Sequence, residues 1–164
     1  MRHSRIALSC AAVAATVLVG CQGGGHSASP TDPAGSSMQS VMTAEGAVMV
    51  SHSSTLMPAD QEAIAREVAD GYRRALTQLA QVSSVTTNSF MVTTAGVSST
   101  QNGYYLPDEH RIGVRPDWRA LDHELQHHFC YMLRPPGVDC SVVDHCEGTD
   151  LTGTPMSVVS SQCG

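Results

Sequence analysis

Apolar residues recur at Ile64, Val68, Tyr72, Leu76 and Leu79. Steps of four, four, four and three lay them along one face of a helix. Pro58 suits a first-turn position, and Asp60 and Glu62 follow where the helix dipole favours acids. The pattern predicts a helix after Pro58 whose apolar face packs the domain. A second helical pattern starts at Pro116–Asp117 and is stopped by Arg134-Pro135-Pro136-Gly137. At about 100° per residue, Trp118, Leu121, Leu125, Phe129 and Met132 cluster on its apolar back. Between the helices the runs are too short for helical periodicity. Phe90–Thr93, Tyr104–Leu106 behind an Asn102–Gly103 turn signal, and Arg111–Val114 read as three short strands, expected to be antiparallel. Residues 138–164 read as loop, with Val158–Val159 as a short strand or helical turn. The whole predicts an α+β domain with two main helices, a short antiparallel sheet and a C-terminal loop region.

The beginning of the chain follows a different pattern. Arg2 and Arg5 precede an uncharged apolar run, Ile6–Val19, too short for a comfortable membrane span and suited to a secretory h-region. It ends Leu18-Val19-Gly20-Cys21, which resembles the lipobox of bacterial lipoproteins. That resemblance implies cleavage after residue 20, lipidation of Cys21, and a protein anchored in a membrane on the extracytoplasmic side of the cell envelope. Residues 21–40, rich in Gly, Ser and Pro, read as a flexible tether with His26 as a solvated loop residue. The folded domain is then 41–164, its first core residues falling near Val41–Val48.

Composition sharpens this. The 164 residues carry nine Arg, no Lys and fifteen acids, a net charge of −6. Loss of Arg2 and Arg5 would leave seven bases against fifteen acids, or −8. Such a balance argues against a general nucleic-acid binder. Of six cysteines, Cys10 falls in the leader and Cys21 would carry lipid. Cys130, Cys140, Cys146 and Cys163 remain, an even number that outside the cytosol reads as two disulfides with three possible pairings.

The front of the second helix carries the chemistry. His123-Glu124-Leu125-Gln126-His127 is an HExxH sequence. With His123 at 0°, His127 lies at about 40° and Glu124 at about 100°, while the apolar stripe lies opposite. Two imidazoles one turn apart can share a metal ion, with the carboxylate beside it. The run Leu121–His128 resembles the active-site helix of the zincins, zinc-dependent metallopeptidases. The resemblance implies that His123 and His127 bind Zn2+, that Glu124 activates the water that hydrolyses a peptide bond, and that the substrate is a peptide or protein. It also implies that the strand before the helix, here Arg111–Val114, binds substrate in extended form.

A zinc site of this kind needs a further protein ligand and an open position. The metzincin extension fails, because Cys130 and Leu133 stand where Gly and His are required. Candidates lie in Asp144-His145-Cys146-Glu147-Gly148-Thr149-Asp150. His145 ranks first, in an Asp-His arrangement similar to that of small HExxH lipoproteins. Glu147, at a gluzincin-like spacing, is second, followed by Asp150 and Asp144; Asp144 could instead orient a ligand imidazole. Cys130 falls on the metal face of the helix and Cys146 adjoins His145. A Cys130–Cys146 bridge would hold the loop over that face, with Cys140–Cys163 securing the tail. His128 reads as a helix-flank or core-edge residue, and His52 and His110 as loop residues. Tyr104, Tyr105 and Tyr131 are candidate oxyanion donors or, more simply, packing residues.

Two functions follow as expectations. The first is a monomeric, lipid-anchored zinc metallopeptidase with Glu124 as general base. The second is a non-catalytic metal-binding or interaction lipoprotein that retains a zincin-like site.

Overall fold

The computed structural model describes residues 34–156. The leader, Cys21, His26, Val158–Val159 and Cys163 lie outside the described residues. The element order is β1 (Ser37–Thr43), β2 (Gly46–His52), α1 (Pro58–Gln78), β3 (Met91–Thr93), β4 (Gly103–Leu106), β5 (Arg111–Val114) and α2 (Leu121–Leu133). Three 3-10 turns, at Ala80–Ser84, Thr87–Ser89 and Pro107–Glu109, connect them. The α+β class with two main helices is as the sequence pattern predicts. Among the described residues no helix is long and apolar enough to cross a membrane.

The sheet is larger than expected and is mixed. Its order is β1-β2-β3-β5-β4. The outer pairs β1/β2 and β4/β5 are antiparallel, whereas β3 runs parallel to both β2 and β5. Parallel neighbours need a crossover; α1 supplies it between β2 and β3, and the excursion through β4 supplies it between β3 and β5. The chain turns between β4 and β5 at Pro107–His110, where His110 takes φ 49°. Gly103, in the pair that the sequence suggests as a turn, is instead the first residue of β4.

The β1–β2 hairpin takes in Ser37–Ser40, which the sequence pattern assigns to the tether. Val41, Val48 and Val50 are buried, while Met38, Met42 and Met49 face outward. Methionine on the solvent face hides the apolar–polar alternation that marks a strand. The Ala44–Glu45 turn also lacks the usual hairpin glycine pair, although Gly46 takes φ 131° just after it.

α1 begins where Pro58 and Asp60 predict, with the Met57 amide donating to Asp60 Oδ2 at 3.0 Å. Its buried stripe is Ile64, Val68, Gly71, Tyr72 and Ala75. Leu76, assigned to that face by the four-residue steps, is 44% exposed, because the inward face drifts to Gly71 and Ala75. α2 starts at Leu121, later than Pro116, since Trp118 adopts φ 62° and is buried ahead of the helix. The Trp118 indole donates to Asp60 Oδ1 at 3.1 Å, joining the starts of the two helices. Leu121, Leu125 and Phe129 are fully buried as the periodicity implies, but Met132 is exposed. The helices meet at Gly71, where an added Cβ would lie 2.8 Å from Leu125 Cδ1. This contact fixes the rotation of α2, so the opposite face of α2, carrying the histidines, turns toward the C-terminal loop.

Candidate metal centre

His123 and His127 come from successive turns of α2, and His145 from the loop that follows it. Their ligand atoms all lie within 4.8 Å of one another. His127 Nε2 is 3.3 Å from His123 Nε2 and 3.2 Å from His145 Nε2. Nitrogens placed tetrahedrally at about 2.0–2.1 Å from one zinc ion are separated by about 3.3–3.4 Å.

The outer nitrogens set the protonation pattern. His127 Nδ1 donates to the Cys140 carbonyl at 2.8 Å, and His123 Nδ1 donates to Asp144 Oδ2 at 2.9 Å. A neutral ring that carries its proton on Nδ1 presents a lone pair at Nε2. Two such lone pairs therefore face each other at 3.3 Å, an arrangement that favours a shared cation. The donor set thus fits a metal ion, and the carbonyl and carboxylate behind the rings are the usual partners that orient ligand histidines.

Burial holds His127 well below the usual imidazole range, at about 4, although the Cys140 carbonyl opposes the shift. His145 is also lowered, by burial and then by the charge of His123. For His123 burial acts downward, but the hydrogen bond to Asp144 and the charges of Glu124 and Asp144 together raise it. Glu124 is 5% exposed, and burial pushes its carboxyl up to about 7, with the His123 charge opposing. Glu124 lies against β4, where an added Cβ on Gly103 would come within 2.6 Å of its Oε1. Gly103 therefore leaves room for the carboxyl.

The other candidates occupy different places. Glu147 is exposed. Asp150 is engaged in its own turn, accepting from the Thr152 and Thr154 amides. Asp144 is spent on His123 and Arg74 rather than on the space between the imidazoles. The loop is tight: the Asp144 amide donates to Thr149 O, and a Cβ at Gly148 would overlap Val142 O at 1.8 Å.

The bridging pattern needs correction. Cys130 pairs with Cys140, not with Cys146, across a Cα–Cα distance of 5.4 Å. The turn after Pro135–Pro136, with Gly137 at φ 77°, folds the chain back beside the last turn of α2 and brings Cys140 within reach. With Cys140 taken by Cys130, the expected Cys140–Cys163 bridge is overturned as well; Cys146 is also disulfide-bonded.

The hydroxyls of Tyr104 and Tyr105 are engaged within the fold. Tyr104 OH donates to Ala95 O at 2.7 Å, with its ring over Gly113. Tyr105 OH lies 3.0 Å from His128 Nδ1, and the Tyr131 ring lies tilted against Tyr105 with centroids 5.6 Å apart. His128 is fully buried rather than at a core edge, with Ser89 Oγ 2.9 Å from its Nε2. His52 packs on Trp118 and His110 on His128.

Arg74 is the site residue that sequence reasoning misses. It follows Gly71 by three residues and precedes Gln78 by four, so all three line the face of α1 that meets α2 and the loop. That spacing is the only trace of it in the sequence. No protein-family model, curated protein or solved structure matches the chain.

Proposed function

We propose that this domain is a zinc-dependent peptidase of the zincin type. The observation that carries the reading is the convergence of three imidazole Nε2 atoms beside a buried carboxyl, Glu124, that directly follows one of them in α2. His123, His127 and His145 would hold the ion, leaving a position open. Zinc there would supply Lewis acidity and lower the pKa of a bound water toward 7.

Glu124 takes the proton of the attacking water at its carboxylate and returns it to the leaving amine. A carboxyl beside the three imidazoles is placed to do both. Asp144 and the Cys140 carbonyl keep Nδ1 of His123 and His127 protonated, so that both present Nε2 inward. The strand suited to an extended substrate is β4 rather than β5: β5 is flanked by β3 and β4, whereas β4 lies at the sheet edge and over Glu124. Tethering through Cys21 on the extracytoplasmic side of a bacterial membrane belongs to the same proposal and rests on the lipobox-like sequence.

A metal-binding module without hydrolysis is the second reading, favoured by the depth at which Glu124 is buried. One experiment separates the two. A peptide library is incubated with the zinc-loaded protein, with its chelated form and with the Glu124→Gln variant. The peptidase reading expects cleavage by the first alone, with zinc retained in the variant. Cleavage by the variant at the parental rate refutes the mechanism, and a zinc-loaded parent that cleaves nothing supports the second reading.

A further inference from the structure

One side chain touches the residue immediately before each of two candidate ligands. Arg74 Nη2 donates to Asp122 O at 2.9 Å and lies 3.2 Å from Asp122 Oδ2. Its Nη1 lies 2.9 and 3.1 Å from the two carboxylate oxygens of Asp144. Asp122 precedes His123, and Asp144 precedes His145. These are long-range contacts, 48 and 70 residues from Arg74 along the chain.

We propose that Arg74 is a positioning residue for the metal centre, pinning the His145 loop to α2 so that the third imidazole meets the other two; this rests on the three-histidine reading above. Asp144 has φ 61°, in the left-handed region that Asp enters more readily than most non-glycine residues, which turns the loop at this point. Its carboxylate is 7% exposed and receives Arg74 from one side and His123 Nδ1 from the other. A buried carboxylate persists only while it is paired and hydrogen-bonded. Without the guanidinium, the Asp144 carboxylate would keep only the His123 Nδ1 donor. Asp144 would turn outward and take His145, its chain neighbour, with it. The task suits Arg over Lys, because a planar fork can reach two carboxylates at once and an ammonium presents one centre.

A built-in control lies one turn along the same helix. Gln78 Oε1 accepts from the Leu151 amide at 2.9 Å. It anchors the same loop region without touching any residue next to a ligand.

The test uses the disulfide-intact protein and reads metal affinity by competition with a chromophoric chelator, together with the visible spectrum of the Co2+-loaded form. Arg74→Met should bind zinc about 10–100-fold more weakly, and its Co2+ spectrum should move toward that of His145→Ala. Arg74→Lys should recover part of the affinity, and Gln78→Ala should stay within about threefold of the parent, as expected for an anchor that touches no ligand neighbour. Circular dichroism and thermal melting confirm that each variant is folded. If Arg74→Met does not fold, Arg74→Lys carries the test, and parental affinity in it overturns the role. Parental affinity and spectrum in a folded Arg74→Met protein also overturn it, as does an equal loss in Gln78→Ala. Those outcomes leave the metal reading standing; a parent that binds no metal removes both.

Discussion

His127 donates from Nδ1 to the carbonyl oxygen of Cys140, which a disulfide ties back to Cys130 on the same helix. The bridge therefore fixes the acceptor that orients a candidate ligand. Replacing Cys130 and Cys140 together with Ala should cost about 3 kcal/mol of stability in the chain-entropy model, and should weaken metal binding about tenfold. Urea denaturation and chelator competition measure the two effects. Unchanged metal affinity would separate the bridge from the site.

His145 and Glu147 are two residues apart but differ in placement: the imidazole joins the pair on α2, and the carboxylate faces solvent. His145→Ala should lower zinc affinity at least about 100-fold, as loss of a direct ligand does more than loss of its hydrogen-bond partner. Glu147→Ala should leave affinity at the parental value. Isothermal titration with zinc decides this, and the reverse ranking would make Glu147 the ligand.

Glu124 is stored at a cost. Its carboxyl ionises at 4.5 in the unfolded chain but near 7 when buried. As pH rises through this window the unfolded chain releases a proton that the folded one keeps, so folding is penalised progressively between 4.5 and 7. Metal-free Glu124→Gln should therefore be more stable than the parent at pH 8, by up to about 3 kcal/mol. The gain should vanish at pH 4.5. Equal stabilities at pH 8 would show that the carboxyl is not desolvated.

His128 works in the opposite pH direction. Burial holds it neutral in the fold down to about 4, against 6.5 when unfolded, with the charge of His110 adding to the shift. Below 6.5 the unfolded chain takes up a proton and the folded one does not. Stability present above 6.5 is therefore lost as pH falls toward 4, with a slope of up to about 1.4 kcal/mol per pH unit. His128→Asn should flatten the acid side of the stability profile relative to the parent, a difference that denaturation at a series of pH values will show. An unchanged slope would mean that His128 is protonated in the fold.

The parts of this protein legible in its sequence are those whose physics is local. Both helices announce themselves through apolar spacing, Pro58 and the Pro135–Pro136 stop, and the HExxH run sets two imidazoles and a carboxyl on adjacent faces of one turn. Strands of three or four residues carry too few positions to reveal their neighbours. That β3 runs parallel to β5, and that β4 reaches the edge, depends on how the chain returns through 94–102. The Cys130–Cys140 bridge depends likewise on the fold-back at Gly137.

The two helices, the histidine pair and the order of the chemical groups follow from local sequence pattern. Which distant groups meet depends on the packed fold: His145 beside that pair, Asp144 behind His123, and Arg74 across both. The reason is physical. Helical periodicity is set by neighbours three and four residues apart, whereas a third candidate ligand and a half-buried guanidinium are placed by packing α1 on α2 and by charges that find partners across it.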